Sequence, residues 1–215
     1  ADADAMQRLL EELRAHHPPL KGILHAAGVI AEEPTAQPDA ARIAAVLGAK
    51  AAGAWVLHTL TEDVPLDLFI LFSSASALLG LRGHGEYAGA NAFLDALAAH
   101  RRARGLPALG ITWGDWAGAG MAAGAGEGLA ETGLGALLPA QARQALRCLT
   151  GIQGHHAVLR ADWARFAETF GAHQAFLAPC LAPQPEAAAP GRLQGALQAA
   201  NTAERGWMPA ARASR

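Results

Sequence analysis

The stretch LDLFILFSSASALLGLRGHGEYAGANAFLDALAAHRRARG, Leu66 to Gly105, decides the fold. It opens on an apolar run, LDLFILFSS, that is too short for a stable helix and suits a strand buried on both faces, ending at Ser73 and Ser74. Gly80, Gly83 and Gly85 then form a loop. An alanine-rich helix is expected from about Glu86 to Arg104, with Gly105 as the C′ residue that stops it. ALGIT and WGDW follow as a further strand and its exit.

The same alternation extends outward in both directions. Residues 2 to 16 place Met6, Leu9, Leu10 and Leu13 at helical spacing before Pro18 and Pro19 stop the chain. GILHAAGVI, Gly22 to Ile30, reads as a parallel strand buried on both faces, and Asp39 to Leu60 carries an apolar stripe of Ile43, Val46, Leu47, Ala54 and Leu57. Downstream, a glycine-rich stretch from Gly118 to Gly135 precedes a helix near Pro139 to Leu149, a strand HAVLR at 156 to 160, and DWARFAETF. Strand and helix in turn imply an α/β domain with a doubly wound parallel sheet. Two parts are expected: a domain over 1–177 and a Pro/Ala-rich linker over 178–215.

Composition narrows the function. Apolar residues make up 52% of the 215 and charged ones 17%, enough to bury a core. A formal charge of −2 gives no basic surplus for nucleic acid, and no uncharged apolar run reaches the ~18 residues of a membrane span. Cys148 and Cys180 lack CxxC or metal-ligand spacing, so neither a disulfide framework nor a metal site is expected, and a reducing cytoplasm fits best.

Four residues stand out chemically. Tyr87 and Asn91 lie four apart on the expected helix and so share a face. Lys50 falls on the apolar stripe of its helix, where an ammonium must snorkel or find a partner; held near a phenol, it would lower that phenol's pKa. Ser74 ends a strand at the carboxyl edge where open α/β sheets place ligands, although serines there also cap and turn. No G-x-S-x-G surrounds it, so hydrolase chemistry is not suggested. No G-x-G-x-x-G lies between strand and helix near the N-terminus, and GAGMAAGAG is given no phosphate-binding role.

Together the strings LHAAGV, LGAKAAGAWVLH, FILFSSASALLG and GEYAGANAFLDALAAHRRARGLPALGITWGDWAGAGMA, in that order, resemble the ketoreductase domains of modular polyketide synthases, members of the short-chain dehydrogenase/reductase superfamily. The resemblance covers roughly residues 2 to 175. It implies an NADPH-dependent reduction of a β-ketoacyl group carried on an acyl carrier protein, with Tyr87 giving a proton to the ketone oxygen, Ser74 holding that oxygen, Lys50 favouring proton release, and Asn91 fixing the lysine and a relay water. Asn91 stands where most short-chain dehydrogenases have a lysine, which argues against a free-standing carbonyl reductase or epimerase. Trp113, Gly114 and Trp116 match the segment bordering the nicotinamide, although the tryptophans equally suit packing.

For stereochemistry, Ile30, Ala31 and Glu32 replace the Leu-Asp-Asp of D-forming domains, and Leu79 replaces the tryptophan of L-forming ones. His84 resembles a feature of some L-forming domains and leans the reading to the L-product. The resemblance further implies a partial Rossmann-like sheet lacking its first βαβ unit, the missing N-terminal part of a larger synthase acting as a partner, and a truncated lead-in to a carrier domain within 178–215. The alternative from another class is a non-catalytic fragment or scaffold piece lacking the cofactor-binding half.

Overall fold

The computed structural model describes residues 1–30, 35–80, 83–118, 132–170 and 178. Helix α1, Ala3–His16, begins at Asp2, whose carboxylate accepts from Ala5 N at 2.9 Å, and ends at His17 ahead of the proline pair. Strand β1, Gly22–His25, β2, Leu68–Ser74, β3, Leu109–Trp113, and β5, Gly154–Val158, form one parallel sheet in the order β1-β2-β3-β5. A short β4, Leu134–Gly135, pairs antiparallel with β6, Arg160–Ala161.

Between β1 and β2 runs one long helical segment: α2, Ala40–Leu47, a π-helical turn at Gly48–Ala52, and α3, Gly53–Leu60. Helix α4, Ala75–Leu79, and helix α5, Gly85–Ala103, follow β2. Helices α6, Pro139–Leu149, and α7, Trp163–Phe170, complete the described residues. Gly105 takes φ +74, the left-handed C′ conformation expected of it.

Strand alternation divides the core. Phe69 and Leu71 of β2 join Ala54 of α3 and Leu94, Leu97 and Ala98 of α5 on one face. Ile70 of β2 and Leu109, Ile111 and Trp113 of β3 join Leu137, just before α6, and Ala142 of α6 on the other. Helices therefore cover both faces of a Rossmann-like α/β sheet.

Three expectations shift. GILHAAGVI is strand only as far as His25, and it is not buried on both faces: β1 is the sheet's edge strand, with Leu24 53% exposed. The last sheet strand begins two residues earlier than HAVLR because it registers from Gly154 against Leu109. The helical segment Ala40–Leu60, 21 residues at mean hydropathy 1.4, is long and apolar enough to cross a bilayer by length and composition. Its Arg42 and Lys50 side chains are instead tied to α5 and to the sheet.

Candidate active site

Lys50 sits in the π-helical turn and is 2% exposed. Its Nζ donates to Phe72 O at 3.1 Å, two residues before the end of β2, and lies 5.4 Å from the centroid of the Tyr87 ring. The chain leaving β1 lies against the same side chain: a Cβ on Gly28 would come within 2.7 Å of Lys50 Cε. His25 fastens the turn from below, its Nε2 3.0 Å from Lys50 O. Burial lowers the pKa of that imidazole, so His25 is neutral beside the lysine.

Tyr87 and Asn91 project from α5 as the spacing predicts, 7% and 0% exposed. Asn91 Nδ2 donates to Tyr87 O at 2.8 Å, leaving Asn91 Oδ1 buried without a partner. Ser74 closes β2 and caps α4, its Oγ accepting from Ser76 N at 3.2 Å. Burial raises the phenol's pKa, the Asn91 and Ser74 side chains pull it back, and the Asp115 carboxylate opposes ionisation. The expected lowering of Tyr87 by Lys50 is therefore not the outcome. The lysine is bonded to the strand and lies over the ring, and burial lowers its own pKa to about 8, with Asp95 the charge that raises it.

The structure thus brings Ser74, Tyr87, Lys50 and Asn91 together at the carboxyl end of β2. It does not bring Trp113 to them: that ring packs on the opposite face, 5.5 Å from Phe72 and 5.3 Å from Trp116. Gly114 N donates to Val158 O at 2.9 Å, a tie between β3 and β5. Asp115, within WGDW, is the residue of this segment that reaches Tyr87 electrostatically, and the signal for it in the sequence is an acid between two tryptophans.

Leu79 ends α4 and His84 precedes α5, so both flank the loop before Tyr87; Glu32 and Ala31 lie outside the described residues, as do Cys180 and the 177/178 boundary. His84 Nδ1 is 3.4 Å from Arg42, which also donates to Glu86 Oε1 through Nε at 2.8 Å and to Gly83 O at 3.2 Å. This clamp, from the first turn of α2 to the first turn of α5, fixes the approach to Tyr87. A sequence reading misses it because its partners are 44 residues apart.

The site keeps polar groups that could hold part of a nicotinamide dinucleotide. Lys50 spends one of three N–H donors on Phe72 O, and Asn91 Oδ1 is a buried acceptor in want of a donor. Among the described residues, no glycine turn between strand and helix offers itself to the phosphates.

Sheet and site together define a Rossmann-like α/β domain of the short-chain dehydrogenase/reductase type. The chain belongs to the KR domain family, whose model matches residues 1–118. It is 43% identical over 171 residues to polyketide synthase GfsA of Streptomyces halstedii, covering 79% of this chain and 2% of that protein. With the pikromycin polyketide synthase component PikAIII of Streptomyces venezuelae it shares 40% over 204 residues, covering 88% and 13% respectively. A solved A-type ketoreductase from a modular polyketide synthase superposes with TM-score 0.72 at 38% identity, over 80% of this chain and 37% of that one. The chain thus spans a small part of the synthases it matches and about a third of the solved ketoreductase domain.

Proposed function

We propose that this chain carries the proton-transfer half of an NADPH-dependent ketoreductase acting on a β-ketoacyl group held by an acyl carrier protein. The observation that carries the reading is the convergence of Lys50, Tyr87, Ser74 and Asn91 at one strand end, with the lysine delivered from a different helix than the tyrosine. When bound, the cofactor supplies a hydride to the ketone carbon. The Tyr87 hydroxyl gives its proton to the ketone oxygen as the C=O bond becomes C–O–H. Burial raises the pKa of this phenol and so weakens it as an acid, which leaves the Ser74 and Asn91 side chains, and the cation beside the ring, to favour release of its proton in the reaction. Ser74 orients the same oxygen by a hydrogen bond. The Lys50 ammonium steadies the developing phenolate, and its unused donors, with Asn91 Oδ1, are the groups available to the cofactor's ribose and to a water that returns the proton.

His84, beside the entrance to α5, is assigned to the L-hydroxyl product; its contact with Arg42 gives it a fixed place there. The test uses a full-length ketoreductase domain bearing this segment. Tyr87→Phe is expected to lower kcat by about 100- to 10,000-fold with NADPH affinity retained, and chiral analysis of the residual and unaltered product should show the L-alcohol. Undiminished reduction by the variant excludes Tyr87 as the donor.

A second reading, a piece without turnover of its own, draws on the apolar surface left open at β1, where Leu24 is 53% exposed, and just after it, where Val29 is 44% exposed. Fluorescence titration of NADPH with this chain separates the two: saturable binding supports a segment competent by itself, and none supports the second.

A further inference from the structure

Lys50 is gripped at both ends. Its Nζ donates to Phe72 O of β2, while its own carbonyl lies 3.0 Å from His25 Nε2, at the end of β1. The two grips are neighbours in the sheet, because His25 stands opposite Leu71 in the parallel register and Phe72 comes next. One residue of the π-helical turn is thereby strapped across two adjacent strands.

The imidazole reaches the turn because strand alternation sends Ile23 and His25 to the helix-covered side of β1 while Leu24 faces out. Ile23 packs there with Ala54 of α3, and His25 is 5% exposed. Gly53 leaves the ring its room: a Cβ at that position would come within 3.3 Å of His25 Cε1. Inside the turn, Gly53 N–H reaches Gly48 O five residues back and Lys50 O three back. The ladder departs here from its regular step of four, and the Lys50 carbonyl gains a partner from outside the helix. A carbonyl only accepts, so the ring carries its proton on Nε2, and burial keeps the imidazole neutral.

We propose that His25 is a positioning residue of this site: as an Nε2–H donor to Lys50 O, it holds the π-helical turn in the register that aims the Lys50 ammonium at Phe72 O and the Tyr87 ring. The inference rests on the ketoreductase reading only for what Lys50 does in catalysis. His25 acts through the backbone of the lysine and not on the substrate.

Nitrogen NMR of the full chain, with the His25 signals assigned by their loss in the variants, reads the donor directly. Near neutral pH the ring should be neutral with its proton on Nε2; a proton on Nδ1 alone, or on both nitrogens, overturns the proposal. The chain contains two lysines, Lys21 and Lys50, so lysine-selective labelling gives one signal from the site and one internal reference at the exposed Lys21. Lys50 should titrate near pH 8 in the unaltered chain. His25→Leu should raise that midpoint by about one pH unit or more, as the ammonium leaves its buried place, without moving Lys21. His25→Gln, whose amide can donate to the same carbonyl, should keep the midpoint near its unaltered value. A residue that merely filled the strand end would lower stability in both variants and leave the midpoint alone. A folded His25→Leu chain with an unmoved Lys50 midpoint therefore overturns the proposal, and so does a His25→Gln midpoint displaced as far as that of His25→Leu. Should His25→Leu not fold, the position of the ring proton decides. None of these readouts requires cofactor or turnover, so failure of the ketoreductase reading would leave them intact.

Discussion

Replacing Lys50 by methionine should make the fold less dependent on alkaline pH, and the structure gives the size of the effect. Burial lowers this lysine's pKa from the ordinary 10.5 to about 8. Between those values the unfolded chain binds a proton that the folded chain has released, so stability rises with pH across that window. Each pH unit is worth 1.36 kcal/mol, so holding the ammonium inside at neutral pH costs the fold about 3 kcal/mol. Most of that is recovered on the way to pH 10.5, and about 2 kcal/mol between pH 7 and 9.5. Methionine keeps the unbranched stem against Gly28 and has no proton to lose. Urea unfolding followed by tryptophan fluorescence, at both pH values and for both proteins, isolates the lysine, because shared groups cancel in the difference. The unaltered chain is expected to gain about 2 kcal/mol more than Lys50→Met. A differential gain below about 0.5 kcal/mol, or one of opposite sign, would refute the burial of the ammonium on which the reasoning depends.

Two further outcomes are expected. Tyr87 is the one tyrosine of the chain, so phenolate absorbance in the near ultraviolet reports it alone; its midpoint should lie above the ordinary 10.0 and fall when Asp115 is changed to Asn, whereas a midpoint below 10.0 contradicts the burial described. At the far end of α5, Arg101 is fully buried, stacked 3.8 Å over Phe69 and bonded to His58 Nδ1 and Pro107 O at 3.0 and 3.1 Å. Arg101→Ala should lower unfolding free energy by about 3 kcal/mol or more, and a loss under about 1 kcal/mol in the same urea assay would show that the stack and its bonds contribute little.

The order of elements was legible because buried parallel strands and amphipathic helices have different apolar periods, and proline and glycine mark their ends. LDLFILFSS, the helix after it and its stop at Gly105 needed nothing else. What local pattern could not carry was partnership. β1 reads as doubly buried because Ile23 and Leu24 are both apolar, yet which faces are covered depends on strand order, and Leu24 stands open at the edge. Likewise the four central site residues were legible only as a set, through resemblance. Arg42, Asp95 and Asp115 bear on the same site and were missed, since each is an ordinary charged residue until a distant element is laid against it.

Lys50 shows the limit most clearly. Val46, Lys50, Ala54 and His58, each four residues after the last, are 1%, 2%, 0% and 0% exposed. In a regular α-helix, at about 100° per residue, such a series drifts by roughly 40° at each step, and its ends would not face one surface. The π-helical turn at Gly48–Ala52 closes on a wider ring and gives back part of that rotation, so the four stay in one buried line. A reading at the α-helical period places Lys50 on the stripe of Ile43, Val46, Leu47, Ala54 and Leu57, of which Ile43, Leu47 and Leu57 are only partly covered, and leaves His58 out. One line of side chains thereby serves two ends of the domain. At the top Lys50 meets β2 and Tyr87, while two turns below His58 meets Arg101, so the helix that delivers the cation is held in register by the contact that anchors α5.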